Sequence, residues 1–251
     1  MKEPAPTFPP LLTGHKINNG KSPSMWAKAQ LNKGKLGAGD FVWAEGANYL
    51  RFALVLEPEV SRQRCSEILY LGMVAFGDAA GALIPPEISI NYQWPSIILM
   101  NNAEIGYAEL ALSQDDTNGI PNWLVLSLEV HIRPDELEQN PGLNVNITSM
   151  WEEGCGGLTS ERLLESTARN LVNWFHTWSE EGFKSVHDQW SARQYDKLPL
   201  TFALSGEAEE MGKFLGMDET CNALIRDASG TSEIATLDAL KTLRNLRNRR
   251  S

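Results

Sequence analysis

A chain of 251 residues, 42% hydrophobic and 22% charged, is long enough for one large domain or a large one with a small companion. Its formal charge of −10 at pH 7 argues against DNA as a partner. No apolar stretch nears the ~20 residues that span a bilayer, and the proline-rich start lacks the basic and apolar order of a signal sequence. The expected setting is the cytoplasm, with no membrane partner. Cys65, Cys155 and Cys221 are odd in number and lack Cys-x-x-Cys spacing, which points to buried thiols and away from disulfides or zinc.

In chain order, residues 1–24 carry Pro4, Pro6, Pro9, Pro10 and Pro23 and read as an extended arm laid over the body. A short helix is expected from Met25 to Asn32 with Ser24 as its cap. Gly34-Lys35-Leu36-Gly37-Ala38-Gly39 is a glycine-rich loop before a strand at Asp40 to Trp43, and Tyr49 to Leu56 is a stronger strand ended by Pro58. Ser61 to Gly81 has helical spacing in Ile68, Leu69, Leu71, Met73 and Val74, and Pro85-Pro86 stops it.

Three strands follow, Ile88 to Trp94, Ile105 to Leu112 and Trp123 to Ile132. Met100 to Ala103 is a hairpin turn between them and Gln114 to Pro121 a polar loop. Ser160 opens a long helix that Gly182 breaks, and Phe183 to Tyr195 forms a second one. Trp174 and Trp178, four apart, read as core packing, and Glu152-Glu153 as solvated loop charges. From Thr201 to Leu240, short β-like runs separated by Gly212, Gly216 and Gly230 suit a small barrel. Lys241, Arg244, Arg247, Arg249 and Arg250 make a basic tail, with Leu240, Leu243 and Leu246 at helical spacing leading into it. The divisions expected are 1–24, 25–197, 198–240 and 241–251.

Four stretches resemble, in order, the biotin/lipoate protein ligase family. Trp43 to Pro58 is similar to its Trp–loop–strand segment. Gln93-Trp94-Pro95-Ser96, with Asn101 to Leu110, lies where the ligases have Lys-Trp-Pro-Asn-Asp and a hairpin into a Lys-x-x-Gly-Ile-Leu strand. Asn146 to Glu153 is similar to the segment before the long helix. Gly212 to Asp218 with Ala223 to Arg226 looks like the closing SH3-like barrel. Thr7-Phe8-Pro9-Pro10-Leu11 and Glu152-Glu153-Gly154-Cys155-Gly156 resemble a bacterial ligase-like group within that family. The resemblance implies an α+β fold: a mixed, mostly antiparallel sheet with packed helices, followed by a small SH3-like β-barrel. It also implies a small acyl ligand or adenylate, ATP and magnesium as co-substrates, and an acceptor protein.

The family's reaction joins a carboxylate to a phosphate, so its site needs cations against the charge that develops. Here the expected chemistry is altered. Gln93 stands for the lysine before Trp-Pro, and losing even one preorganised donor costs about 10²–10³ in rate. Lys35 is the lone cation in a loop where the family has several arginines, although the backbone at Gly37 and Gly39 could still approach an anion. Glu104 adds negative charge where a second lysine is common. Tyr107 follows Gly106 where the family has a glycine and would narrow the pocket. Ser127-Leu128-Glu129 replaces a Gly-x-Gly run.

The pocket is expected between the sheet edge at Gln93 and Trp94 and the facing segment Gly37 to Trp43. Trp43 and Trp94 would be its apolar walls, and Gln93 and Ser96 its hydrogen-bonding groups. His15, His131, His176 and His187 form no metal-ligand pairing, and no Gly-x-Ser-x-Gly elbow is present. The readings left open are a binding protein with ligation lost or altered, an active acyl ligase or transferase, and a scaffold with a filled pocket.

Overall fold

The computed structural model describes residues 5–134, 146–195, 200–202, 210–227 and 230–248. The outermost arm residues, parts of the C-terminal runs and the last tail residues lie outside these ranges. A seven-stranded sheet organises the fold. Its strands are β1 (Thr13–Ile17), β2 (Asp40–Ala44), β3 (Tyr49–Leu56), β4 (Ile90–Gln93), β5 (Ile97–Met100), β6 (Ala103–Leu112) and, after the small hairpin of β7 (Asp116–Thr117) and β8 (Ile120–Pro121), β9 (Leu124–His131). The order across the sheet is β1-β2-β3-β9-β6-β5-β4. Every pairing is antiparallel except β1 with β2, so the sheet is mixed and mostly antiparallel, as expected.

Strand alternation sorts the two faces. On β3, Leu50, Phe52 and Leu54 enter the main core, while Ala53 and Val55 join a smaller cluster on the reverse face. The main core is closed by α2 (Ser66–Gly81), α3 (Ser160–Glu181) and α4 (Lys184–Ala192). α2 is apolar almost all round because it lies between the sheet and α3, with Ile68 through Phe76 all buried. α1 (Pro23–Leu31) covers one corner of the reverse face through Ala27 and Trp26.

Several boundaries differ from expectation for local reasons. Ser22, not Ser24, caps α1 by accepting from Met25 N, because Pro23 is suited to the first helical turn. Gly34 belongs to that helix's C-terminus: Gly34 N donates to Leu31 O and Lys35 N to Gln30 O, with Gly34 at φ +63°. Turns over 62–65 delay α2 to Ser66, and α4 stops at Ala192. The expected arm contributes β1, and its backbone continues across the turn at Gly39 through Thr13 N to Gly39 O at 2.9 Å.

β4 ends at Gln93, and the apolar run after Ser96 is a strand of its own, β5, folded back by a turn containing the cis Trp94–Pro95 bond. Trp174 and Trp178 are half-buried, and their indole N–H groups donate to Asp78 at 2.8 Å and Glu67 at 2.7 Å, so each does more than pack. Glu152 and Glu153 are not simply solvated. Glu152 accepts from the Ser149 amide and hydroxyl, and Glu153 from Thr148 and Asn101.

After α4 comes a four-stranded antiparallel sheet of β10 (Leu200–Phe202), β11 (Glu210–Met217), β12 (Ala223–Asp227) and β13 (Gly230–Ile234). The expected run of strands to Leu240 ends earlier, because α5 (Thr236–Asn248) starts at Thr236 and absorbs most of the basic tail. Among its described side chains, Ala239 and Leu240 are buried and Leu237 packs against the core. The small sheet is not an independent body. Phe214 enters the main core, its ring 6.1 Å from Trp94 and 6.4 Å from Trp190, and Thr236 bonds Tyr70 at 2.6 Å.

The three cysteines are buried and free. Burial pushes the Cys65 thiol from 9.0 to about 11 and the Tyr92 phenol from 10.0 to about 12. A proton held more tightly in the folded state stabilises below the unfolded pKa and stops doing so above the folded one. Urea midpoints should therefore be flat up to about pH 9 and decline from there through 11–12. Cys65→Ala should shallow the first part of that decline.

At Gly106 an added Cβ would lie 2.1 Å from Glu129 O and 2.7 Å from Val130 Cα. The glycine lets β6 approach β9 closely beside an irregularity in the β5–β6 register. Gly106→Ala should cost about 1–3 kcal/mol, the range for overpacking, measured by urea unfolding.

Candidate functional site

The expected site residues do not converge on one pocket. β2 and β4 are separated by β3, β9, β6 and β5, roughly 24 Å at about 4.8 Å per strand. Among the described residues, Gly37 to Trp43 therefore lies across the sheet from Gln93 and Trp94 and forms no pocket with them. The register of a seven-stranded sheet decides this, and no local pattern reports it.

The glycine turn is bound up by its own chain. Gly37 N donates to Asp40 Oδ2 at 2.7 Å, and Gly39 N to Val55 O at 3.0 Å. Asp40 also holds His15 Nε2 at 2.6 Å. A Cβ on Gly39, which has φ +87°, would meet Leu11 O at 2.7 Å, so the arm lies directly on this turn. Lys35 is exposed, beyond the helix end. These residues do not fit a nucleotide phosphate, because amides that would cradle it already have acceptors. Among the described residues no group of three His, Cys, Asp or Glu is placed to hold a metal.

Both tryptophans are core residues. Trp94 is 2% exposed against Phe214, and Trp43 is 6% exposed. Trp43 lines a narrow crevice with Arg51, Ser160 and Leu164. Ser96 is buried, its backbone oxygen accepts from Ala108 N at 2.9 Å, and its hydroxyl has no hydrogen-bond partner.

What the fold does assemble is a row on the reverse face of the sheet. Gln93 pairs with Ile97, Ile97 with Tyr107, Tyr107 with Glu129, and Glu129 with Arg51, across β4, β5, β6, β9 and β3. All five are half-buried. Opposed residues share a face, because Tyr92, Ile98, Leu128 and Phe52 beside them point into the main core. Arg51 Nε stands 3.0 Å from Glu129 Oε2, and its Nη2 donates to Oε1 at 3.4 Å. The guanidinium lies 4.0 Å over the Tyr49 ring, which itself meets His131 at 4.7 Å.

One step along the same face, Glu109 faces Ser127, and Arg244 of α5 approaches Glu109 at 3.9 Å while donating to Leu110 O at 2.9 Å. Lys28 of α1 borders this corner. Burial lowers its pKa, Arg244 lowers it further, and Glu109 opposes both. Glu104 is joined through its backbone to 146–148, donating to Asn146 O at 2.7 Å and accepting from Thr148 N at 2.9 Å.

Of the nine expected site residues, the structure places Gln93 and Tyr107 in this row. Gly106, next to Tyr107 on β6, supports it by letting that strand approach β9 closely. Arg51 and Glu129 escaped prediction as a pair. Their signal was a charge inside each of two otherwise apolar strands, legible only once the two strands are neighbours.

The family model of the biotin/lipoate A/B protein ligase family matches residues 8–192. A biotin–[acetyl-CoA-carboxylase] ligase of Paracoccus denitrificans is 23% identical over 221 residues, 87% of this chain and 91% of that protein. The crystal structure of a biotin protein ligase-like protein of unknown function from Silicibacter sp. tm1040 superposes with a TM-score of 0.80 at 33% identity, covering 92% of this chain and 97% of the other. The biotin protein ligase of Aquifex aeolicus in complex with biotin and ATP shares the fold, with a TM-score of 0.65 at 18% identity over 90% and 96% of the two chains. With its sheet, its helix layer and 185 consecutive residues accounted for in this way, the chain belongs to the biotin/lipoate A/B protein ligase family.

Proposed function

We propose that this chain is a ligase-family protein that binds a small acyl ligand on the sheet face carrying Gln93, Tyr107, Glu129 and Arg51, and that ligation through an acyl-adenylate is lost or heavily altered in it. The observation that carries this is the charge state of the row. Its one cation, Arg51, is matched by Glu129 at 3.0 Å, and Gln93 is neutral. Adenylation brings a carboxylate against a phosphate and needs positive charge that is not already neutralised. The glycine turn, its amides bound to Asp40 and Val55, supplies no substitute. The nucleotide is therefore the weaker half of the ligand expectation.

Names of the relatives, a biotin ligase acting on acetyl-CoA carboxylase and a ligase complexed with biotin and ATP, motivate the acyl class. The reading includes a cytoplasmic setting and an SH3-like character for the sheet of β10 to β13, which docks on Trp94 through Phe214. A second reading, an interaction scaffold whose family site is filled by its own side chains, is favoured by the half-buried Tyr107 lying beside the Arg51–Glu129 pair.

Calorimetric titration with biotin, ATP and a non-hydrolysable biotinyl- or lipoyl-adenylate analogue decides between these. Micromolar analogue binding is expected through its acyl half, with ATP alone giving no heat and ATP–pyrophosphate exchange at background in the wild type and rising in Gln93→Lys. Exchange by the wild type at ligase-like rates would refute the loss of ligation. No heat from any of the three leaves the scaffold.

A further inference from the structure

We infer that the Arg51–Glu129 pair sets the ligand class of the sheet-face site: a neutral acyl derivative, an amide above all, and not the free acid. The inference rests on the reading that this face is the ligand site and goes beyond it by naming what the face selects.

The argument starts from the hydrogen-bonding capacity of the pair. A guanidinium has five N–H donors in a plane, and a carboxylate has about four acceptor sites. Arg51 donates Nη2 to Glu129 Oε1 at 3.4 Å, while its Nε lies 3.0 Å from Oε2 as an ion pair and makes no hydrogen bond. Its flat face lies on Tyr49, so its remaining donors are confined to its edge. Of the acceptor sites on Glu129, Arg51 occupies only part, one on each oxygen at most. Both side chains are half-buried, at 22% and 30% exposure. Anything laid over them removes water from groups that are only partly satisfied, and that costs free energy unless the ligand replaces the lost bonds. A purely apolar body would replace none.

A free carboxylate is worse placed. It could accept from the same remaining donors of Arg51 as a carbonyl does, but it would bring a second negative charge against Glu129, which stands 3.0 Å from Arg51. The rest of the face offers no easy relief. Arg244 is committed to Leu110 O and Glu109, and Lys28 borders that same corner one pairing step further along β6. The edge of an amide meets both halves of the pair at once. Its carbonyl accepts from Arg51 and its N–H donates to Glu129, with no net charge to desolvate. Donor and acceptor side by side on the protein match acceptor and donor side by side on the ligand. Tyr107 and Ile97 provide apolar surface along the same row for the attached chain.

The test is a matched pair of probes, octanamide and octanoate, which differ in charge but hardly in shape, titrated calorimetrically at pH 7.5. The wild type should prefer octanamide by at least about tenfold, the ratio that one charge-assisted hydrogen bond supplies. Glu129→Gln keeps the shape, removes the competing charge, and should bring octanoate to parity or better. A melting curve checks that this variant is folded. Equal affinity of the wild type for both probes, or a preference for octanoate, would overturn the inference while leaving the sheet face as the ligand site. An unchanged preference in Glu129→Gln would overturn it as well, by removing Glu129 as the cause. Failure of both probes to bind either protein would sink the inference together with the reading beneath it.

Discussion

The β3–β9–β6 ladder is the constraint on which the rest of this molecule depends. β9 pairs along its full length with β3 and from Leu124 to Val130 with β6, and each strand sends alternate residues to opposite faces. On one side this produces the dehydrated core against α2, with Leu54, Leu126 and Leu110 in line. On the other it produces the polar row in which Arg51, Glu129 and Tyr107 are neighbours. A slip of one residue in either pairing would exchange the two faces. Gly106 guards the register because nothing larger fits against Glu129 O and Val130 Cα. The glycine is explained by the approach of two strands and requires no ligand.

Around that ladder, the groups that could have served an anion are turned inward. Asp40 takes the Gly37 amide and holds His15, Leu11 lies over Gly39, Glu129 neutralises Arg51, and Arg244 fastens α5 to β6. Each contact is individually modest, since a typical net hydrogen bond is worth about 1 kcal/mol. Their common effect is chemical. The fold of the biotin/lipoate ligase family is retained, and these particular groups are engaged with one another.

The C-terminal segment shows how closely that fold is tied together. Trp94 belongs to the motif that first suggests the family, yet its ring stacks on Phe214 of the small sheet. α5 then returns to the large sheet through Arg244 and to α2 through the contact of Thr236 with Tyr70. A residue singled out as a pocket wall is instead the floor on which the second sheet rests.

The amino-acid sequence by itself determined the type and most of the extent of the elements: β3 to the residue, α3 with its Gly182 stop, the helix-prone leucines of α5, and the mostly antiparallel α+β class. Those features are local. Period-2 and period-3.6 patterns, caps and glycine stops act over a few residues. It also displayed, in Gln93 and the Ser127-Leu128-Glu129 run, departures from the family's sequence pattern. Tertiary structure alone decided which residues meet. Trp43 and Trp94 read as two walls of one cavity and lie in separate parts of the core, while Arg51 and Glu129, 78 positions apart, read as isolated charges and are cross-strand partners. Strand order and register are set by the burial of a whole face, a sum over many residues to which no single segment holds the key.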